Sequence, residues 1–403
     1  MSKQTKYTLQ EVTDARLERE WLDLPKRIYR GNRNWVCPLD PSIRARCSIP
    51  RRTTFSRAAR PYAGCCATPR AGRGPHRRLL QPRESDAGDP AHGRLRIFRV
   101  HRRPAGRRRD VRRAARMWAR QPRHGGDGRP HQLRQPRLVV GLLVEGHEFQ
   151  PLYENPYNPP YYKDLFERYG FCNYFNQHTY IWRSGITENS NRIFDRAAHL
   201  HATPGYHVEN IDMKNLEEAA ENFRIVYNKA WALFFGRQAP GGATRRWLMR
   251  MLRPIIDPRI VFFAYFNDEP IGFFIMVPDL NRLIGKFNGK FGWWQKLRLM
   301  WDLKVRRKCD RIFGIIFGIA PEFHGKGVES AIMVKCHEFL VMTKNEYKTM
   351  ELAWIGDFNP VMNRMIETYV GATKHKMHTT YRYLFDRTKE FRRCPRLGVR
   401  RRE

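Results

Sequence analysis

A glycine-rich turn between a strand and a helix holds the residues best suited to chemistry. The apolar run at 311–321 predicts a buried strand, and 328–342 has the pattern of a helix. The eight residues that lead from one to the other are Glu322, Phe323, His324, Gly325, Lys326, Gly327, Val328 and Glu329. In such a turn, backbone N–H groups and the helix dipole attract an anion, and glycine lets the backbone approach it closely. We therefore expect a phosphate-binding turn here; the alternative is an ordinary strand-to-helix connection.

The elements around this turn must position it. The pattern over 205–386 predicts, in order, a helix, a hairpin, the long strand, the turn, a helix, a strand, a helix and a strand. These elements are placed at 215–236, 261–266, 271–277, 311–321, 328–342, 350–356, 360–369 and 381–386.

An internal repeat connects the two halves of the chain. Asn158-Pro159 precedes Gly170 by the same interval that separates Asn359-Pro360 from Gly371. Each span reads as a helix between two strands. One such copy in each half indicates the duplication of a whole domain and not a short solenoid repeat.

The turn and the order of elements resemble the GNAT acyltransferases, whose motif [QR]-x-x-G-x-[GA] holds the pyrophosphate of coenzyme A. Gly327 matches the first glycine of the motif, whereas His324 stands for Gln or Arg and Glu329 for the final Gly or Ala. The resemblance implies an α/β GNAT fold and acyl-CoA as cosubstrate, with no metal. The binding residues that it implies are His324, Gly325, Lys326, Gly327, Val328 and Glu329.

The resemblance also implies a chemistry, the direct attack of a primary amine on the thioester. Backbone N–H groups near Ile319 would polarise the carbonyl. The position of the usual acid, a tyrosine, is Glu367 here, with Tyr369 two residues later. Each of these two could instead be a solvated residue on a helix face.

Three further residues are candidates for this site. Glu351, in a strand facing the cleft, could act as a base or be a cross-strand charge partner. Asn359 and Asn363 could contact the CoA arm, and Asn359 fits equally well as a helix N-cap.

The net charge of +36 is concentrated in one segment. Residues 44–139 contain 27 arginines, five acidic residues and no lysine, with ten prolines and nine glycines. This composition is typical of a disordered basic linker. It is also what GC-rich DNA encodes when read out of frame.

A frameshift explains the segment better than a genuine linker does. One permitted set of codons for 131–141, read one base later, encodes INFGNRDSWWG, and the same shift turns 93–105 into GGFGFFESIDDQQ. The frame slips near residue 44, slips again near 70–74 and returns by about 140. We therefore expect that 44–139 does not fold as printed and that its charge says nothing about partners.

The restored strings narrow the resemblance to the tandem-GNAT family that includes bacterial ceramide synthases. FGFFES and INFG…WWG join the printed GLLVEG, NPPYY, the Gly-Lys-Gly turn and the N-P…M-N-R-M helix at 359–365. The domains expected are an N-terminal helix of the first GNAT-like domain at 1–43, the out-of-frame segment at 44–140, a remnant of the first domain at 141–200, the second GNAT domain at 201–390 and a basic tail at 391–403.

The function expected is acyl-CoA-dependent N-acylation of a primary amine, such as a sphingoid base. Two alternatives remain. One is acetylation of a small amine or peptide, and the other is a nucleic-acid-binding protein with a degenerate GNAT domain, for which the frameshift leaves little ground.

The segment 290–308 has a pattern that predicts contact with a lipid surface. As a helix it places Trp293, Trp294, Leu297, Met300, Trp301 and Val305 on one face, with Gln295, Lys296, Arg298, Asp302 and Arg306 opposite. Tryptophan with basic residues suits a membrane interface. The alternative is a helix packed on the other domain.

Composition excludes several classes of protein. The longest uncharged, mostly apolar stretch, 312–321, is too short to span a bilayer. Eight cysteines at irregular spacing form neither a zinc pattern nor a disulfide framework. We expect a cytoplasmic protein, with peripheral contact to the inner membrane through 290–308.

Overall fold

The computed structural model describes residues 14–40, 141–185, 190–235, 252–384, 388 and 390–397, and the backbone of five short strands before residue 96. The helices are α1 (Ala15–Ile28), α2 (Tyr162–Tyr169), α3 (Asn191–His201), α4 (Leu216–Phe235), α5 (Asn281–Ile284), α6 (Trp293–Met300), α7 (Val328–His337) and α8 (Pro360–Arg364). Turns of π-helix extend α6, α7 and α8 through Trp301–Val305, Glu338–Met342 and Met365–Val370, and 3-10 turns lie at Pro258–Ile260, Gly285–Phe287 and Pro321–Phe323.

The strands are β1 (Thr8–Glu11), β2 (Ala63–Ala67), β3 (Gly74–Arg77), β4 (Leu80–Pro82), β5 (Gly93–Leu95), β6 (Leu142–Glu145), β7 (Cys172–Arg183), β8 (Tyr206–Asn210), β9 (Val261–Phe266), β10 (Glu269–Pro278), β11 (Arg311–Ile319), β12 (Thr349–Gly356) and β13 (Thr373–Arg382). Eight of them form one sheet in the order β6-β13-β7-β12-β11-β10-β9-β8. Neighbours in this sheet are antiparallel except β11 and β12, which run parallel because the chain crosses between them through α7.

Local sequence explains most of the second half. The hairpin of β9 and β10 turns at Asn267 and Asp268, whose φ angles of 48° and 64° are those of a turn that matches the twist of the strands. The predicted strands at 261–266, 271–277 and 350–356 are confirmed within one or two residues. The helix α1 spans Ala15–Ile28 and contains Pro25.

The main core lies between the sheet and α3, α7 and α8. Its members include Ile193 and Ala197 of α3, Ala331 of α7, and Met276 and Leu352 of the sheet. On the other face, Val226 of α4 packs near Phe263 and Phe273. Both faces of β9 and β10 are thus covered, as the nearly continuous apolar sequence of these two strands requires.

The two halves of the chain exchange strands. The strand β7 lies between β12 and β13, so a strand from before residue 184 separates two strands of the second half. The strand β13 in turn pairs with β6. Cys172 and Thr373, which begin β7 and β13, are separated by the same interval as Gly170 and Gly371. Both glycines end a helix in the left-handed conformation, so each copy is a helix, a glycine and a strand.

Some expectations about organisation are changed or left open. The last strand was expected at 381–386, but it begins at Thr373 and ends at Arg382. The domain boundaries stay a prediction, although α3, placed before residue 201, shares the core of α7. The segment 44–139 lies outside the described residues apart from β2 to β5. The cysteines of the described part (Cys37, Cys172, Cys309, Cys336 and Cys394) form no disulfide.

Candidate active site

The glycine-rich turn leads directly from β11 into the first turn of α7. Gly325 and Gly327 have φ angles of 76° and 97°, which favour glycine over any other residue. Gly327 is the N-cap of α7, and no side chain caps this end. The first N–H groups of an α-helix have no partner within the helix, so those of α7 are available to an anion. The predicted turn is therefore present, and its use for phosphate stays a prediction.

His324 connects the turn to the end of β11. Its Nε2 lies 3.0 Å from the carbonyl oxygen of Ile319, so this ring nitrogen carries a proton and donates it. Ile319 is buried and pairs with Gly272 of β10. The carbonyl oxygen of Ile319 thus accepts a hydrogen bond from within the protein, and the His324 side chain stabilises the loop through this bond.

Arg196 of α3, which the sequence does not predict at this site, contacts the turn through its side chain. Its Nη2 donates to the carbonyl oxygen of Gly325 at 2.8 Å and to Oε1 of Glu329 at 3.2 Å. The carboxylate of Glu329, which departs from the GNAT motif, is therefore paired with a cation. No local sequence signal could reveal Arg196, because it precedes Glu329 by more than a hundred residues.

The remaining members of the turn differ in exposure. The ammonium of Lys326 is exposed and lies 4.9 Å from the ring centroid of Phe323. Val328 is buried in the main core and fixes the start of α7. Glu322 pairs with Lys229 at 3.1 Å. Lys326 is therefore the member of this turn that can reach an anion with its side chain.

We predict that Arg196→Ala raises the Kd for coenzyme A about three- to tenfold, because the unpaired Glu329 carboxylate would repel the phosphates. The double variant Arg196→Ala/Glu329→Ala should recover most of the affinity. Isothermal titration with CoA measures both. Equal losses in the single and double variants would contradict the role given to Arg196.

The strands β11 and β12 separate beside this turn. They pair only from Arg311 to Gly314 and from Thr349 to Leu352, although β11 continues to Ile319 and β12 to Gly356. At the same level β11 has an extra residue, Ile315, between two residues that pair with β10. Past Gly314 the backbone groups on this side of β11 no longer pair with β12. The opening is the place where an extended ligand could add its own hydrogen bonds.

Glu367 forms a cluster with groups from both halves of the chain. Its Oε1 accepts a hydrogen bond from the hydroxyl of Tyr180 at 2.8 Å and forms an ion pair with Nζ of Lys374 at 3.1 Å. The Tyr180 hydroxyl is also 2.6 Å from Oδ1 of Asn363. The bond from Tyr180, aided by Lys374, lowers the pKa of Glu367 against the opposing effect of burial. Glu367 is therefore ionised at neutral pH, while its side chain stays 42% exposed.

Both asparagine candidates are engaged by the protein. Asn359 caps α8, with its side-chain oxygen 3.2 Å from the N–H of Met362. Asn363 donates to the carbonyl oxygens of Gly356 and Asn359 at 2.9 and 2.7 Å. The N-cap alternative for Asn359 thus accounts for its position, and contact of either residue with CoA stays a prediction.

Tyr369 and Glu351 lie in different surroundings. Tyr369 is partly buried against the main core. Glu351 is fully buried; Nη1 of Arg311 lies 3.0 Å from its Oε1, and Nζ of Lys376 lies 2.5 Å from its Oε2. The cross-strand alternative describes Glu351, because Arg311 lies on the neighbouring strand β11, Lys376 lies on β13 beyond β7, and the Glu351 carboxylate is closed to solvent. Among the described residues, no group of three or more His, Cys, Asp or Glu side chains could hold a metal ion.

Comparison with known proteins relates the chain to one curated enzyme and to several structures. A bacterial ceramide synthase of Caulobacter vibrioides (strain NA1000 / CB15N) is 26% identical over 249 residues, which are 60% of this chain and 62% of that protein. The match thus spans less than two thirds of the relative's length. No protein-family model matches the chain.

Among solved structures, the GCN5-related glucosamine N-acetyltransferase region of a fungal multi-domain GH3 β-N-acetylglucosaminidase superposes with a TM-score of 0.54 and 12% identity, covering 94% of this chain and 38% of that one. A tandem GNAT protein from the clavulanic acid biosynthesis pathway has a TM-score of 0.45 and 13% identity, covering 94% and 98%. With β11 and β12 parallel and separated beside the turn, the chain has the α/β fold of the GCN5-related N-acetyltransferases.

Proposed function

We propose that this protein is an acyl-CoA-dependent N-acyltransferase that acts on a primary amine. The observation that carries the proposal is the opening between β11 and β12, which adjoins the uncapped N-terminus of α7 at the Gly-Lys-Gly turn. A pyrophosphate at the helix end would leave an extended acyl-pantetheine arm beside the unpaired edge of β11. N–H groups at that edge, near Ile319, would then polarise the thioester carbonyl.

The finer part of the proposal is that the amine is a sphingoid long-chain base. The relative in Caulobacter vibrioides is named as a ceramide synthase, and it supports this choice of substrate through sequence similarity over part of its length. The competing choice is acetylation of a small amine or peptide.

We assign Glu367 to the amine and not to the leaving thiolate. A carboxyl group whose pKa is lowered is a poor proton donor at neutral pH, but it can hold an ammonium group or accept a proton through water. Tyr369 remains the proposed acid for the thiolate. Tyr180 is a positioning residue, since it is fully buried and reaches Glu367 and Asn363 through its hydroxyl.

The test is to incubate the purified chain with palmitoyl-CoA or acetyl-CoA and, in turn, sphinganine, a short alkylamine or a peptide. Released thiol and the mass of the N-acyl product are measured. Palmitoyl transfer to sphinganine is expected. Acetyl transfer restricted to the small amines would favour the competing substrate class, and thiol release with no amide from any amine would refute the proposal.

We predict that Tyr180→Phe lowers the free energy of unfolding by about 1–2 kcal/mol, because it removes a hydrogen bond to a partly exposed carboxylate. A carboxyl whose pKa is lowered by folding contributes stability above its unfolded pKa, near 4.5, and this is lost as the pH falls through the folded pKa. The difference between wild type and Tyr180→Phe should therefore be largest at neutral pH and shrink below about pH 4.

Urea unfolding at pH 7 and pH 3 measures this effect. Tyr206→Phe is a matched control, since Tyr206 packs near Phe266 in the same core. A difference for Tyr180→Phe that is equal at the two pH values would show that the hydroxyl does not act on the Glu367 charge.

We also infer that residues 44–139 are read out of frame. The absence of lysine between Lys26 and Lys163 and the protein-like strings obtained after a one-base shift support this inference. Resequencing the source DNA across codons 40–145 tests it. Single-base gaps would show the Arg-rich segment to be an artefact, and an unchanged frame would restore the nucleic-acid alternative, for which salt-dependent binding is the next test.

The proposal places the enzyme in the cytoplasm with peripheral contact to a membrane. None of the described helices is both long and apolar enough to cross a bilayer. A long-chain amine and a long acyl chain both partition into lipid, so an enzyme acting on them gains from lying at the membrane surface.

A further inference from the structure

An exposed apolar face runs along α6 and the π-helical turn that follows it. Trp293, Trp294, Leu297, Trp301 and Val305 have exposed fractions of 48–72%. These five are most of the eight large apolar side chains that are exposed in the described part of the chain. Concentration on one helix face is unlike the scattered exposure that most soluble proteins show.

The opposite face of the same helix anchors it to the protein. Leu299 and Leu303 are buried in a cluster with Leu283, Ile284 and Phe287. Asp302, which the sequence had placed on an exposed polar face, is buried because its carboxylate pairs with Lys286. With this face fixed inside, the tryptophans must point away from the protein.

The charge around the exposed face is strongly positive. Between 286 and 308 the chain has eight basic residues and a single acidic one, the buried Asp302. Lys286, Lys290 and Arg298 line an open pocket of about 460 Å³ together with Trp294 and Gln295. A cationic pocket beside an exposed indole has the chemistry to hold a phosphate headgroup at the edge of a bilayer.

We propose that this face of α6 docks on a bilayer containing anionic phospholipid, with its tryptophans at the headgroup level and a lipid phosphate in the pocket of Lys286, Lys290 and Arg298. The charge complementarity selects an anionic surface over an apolar protein partner. The biological purpose of this docking, the capture of a long-chain amine from the membrane, rests on the proposed function. Its test requires no turnover, so the two can fail separately.

The first arm of the test measures the role of the tryptophans. The full chain is sedimented with phosphatidylcholine vesicles containing phosphatidylglycerol, and Trp293→Ala/Trp294→Ala/Trp301→Ala is expected to lower the partition coefficient by on the order of tenfold or more. The matched control Val341→Ala/Met342→Ala/Val361→Ala removes exposed apolar side chains elsewhere and should bind like wild type. A blue shift of wild-type tryptophan emission on adding vesicles is also expected, and it does not depend on the folding of any variant.

The second arm measures the role of the charges. Lys290→Gln/Arg298→Gln should weaken binding to the anionic vesicles severalfold, and added salt should reduce the difference from wild type. Lys163→Gln/Lys344→Gln, exposed lysines outside the face, should bind like wild type.

Three results would overturn the proposal. One is the absence of an emission shift with anionic vesicles. Another is equal binding of the wild type and the Lys290→Gln/Arg298→Gln variant to those vesicles. The third is a wild-type dimer that the triple tryptophan variant converts to a monomer with no vesicle binding by either, which would make the face a contact between copies of this chain.

Discussion

Gly327→Ala is expected to raise the Kd for acyl-CoA by on the order of tenfold or more. The φ angle of 97° at Gly327 lies in a region that costs an L-residue about 1–2 kcal/mol. An added Cβ would also lie 3.1 Å from the carbonyl oxygen of Arg196, the residue that pairs with Glu329. The substitution would therefore shift both the start of α7 and the cation beside it. Isothermal titration with palmitoyl-CoA measures the change.

Gly185→Ala separates this effect from simple backbone strain. Gly185 has a φ angle of 73°, an added Cβ there would meet no described atom within 4 Å beyond its chain neighbours, and it lies in the turn after β7. We expect it to lower the melting temperature through backbone strain alone and to leave the Kd unchanged. Unchanged affinity in Gly327→Ala would mean that the first turn of α7 does not hold the pyrophosphate.

The sequence was sufficient to predict the structure where local chemistry determines it. The turn at Gly325 and Gly327 could be predicted because left-handed backbone at a strand-to-helix junction calls for glycine. The strands β9, β10 and β11 could be predicted because they are buried and almost wholly apolar.

The sequence was insufficient to predict the structure where polar groups that are distant in the chain pair with one another in the fold. The strand β13 reads TKHKMHTTYR, and its part at 373–380 escaped prediction because Lys376 and His378 are buried in the sheet despite their polarity. Arg196 and Tyr180 were missed at the site for a related reason. Each comes from before residue 201 and meets its partners, Glu329 and Glu367, only through the shared sheet and core.

A buried ionic network fixes the paired end of β11 and β12. Arg311 donates from Nε to Asp279 at 2.7 Å and from Nη1 to Glu351 at 3.0 Å. Lys376 of β13 reaches the other oxygen of Glu351. Two cations and two carboxylates thus balance inside the protein, with Asp279 and Glu351 fully buried. The network joins β11, β12 and β13 at one end and leaves the far end of β11 and β12 free to open.

Removing one member should be costly, because the others would remain buried without full compensation. Arg311→Met leaves two carboxylates facing a single lysine. We expect it to lower the free energy of unfolding by about 3–5 kcal/mol. Urea unfolding followed by circular dichroism measures the loss, and Arg311→Lys, which keeps the charge but not the planar fork, should lose less.

Arg282→Met is the matched control for this prediction. Arg282 pairs with Asp310 through two bonds of 2.7 Å, but both side chains are 40% exposed, so water replaces the lost partner. We expect a loss of no more than about 1 kcal/mol.

The Arg311 network also sets where β11 and β12 separate. At a temperature where Arg311→Met remains folded, this variant should therefore weaken CoA binding, whereas Arg282→Met should not. Equal stability losses in the two variants would show that the buried network does not stabilise the fold. The position of the opening would then be set by the pairing of β11 and β12 alone.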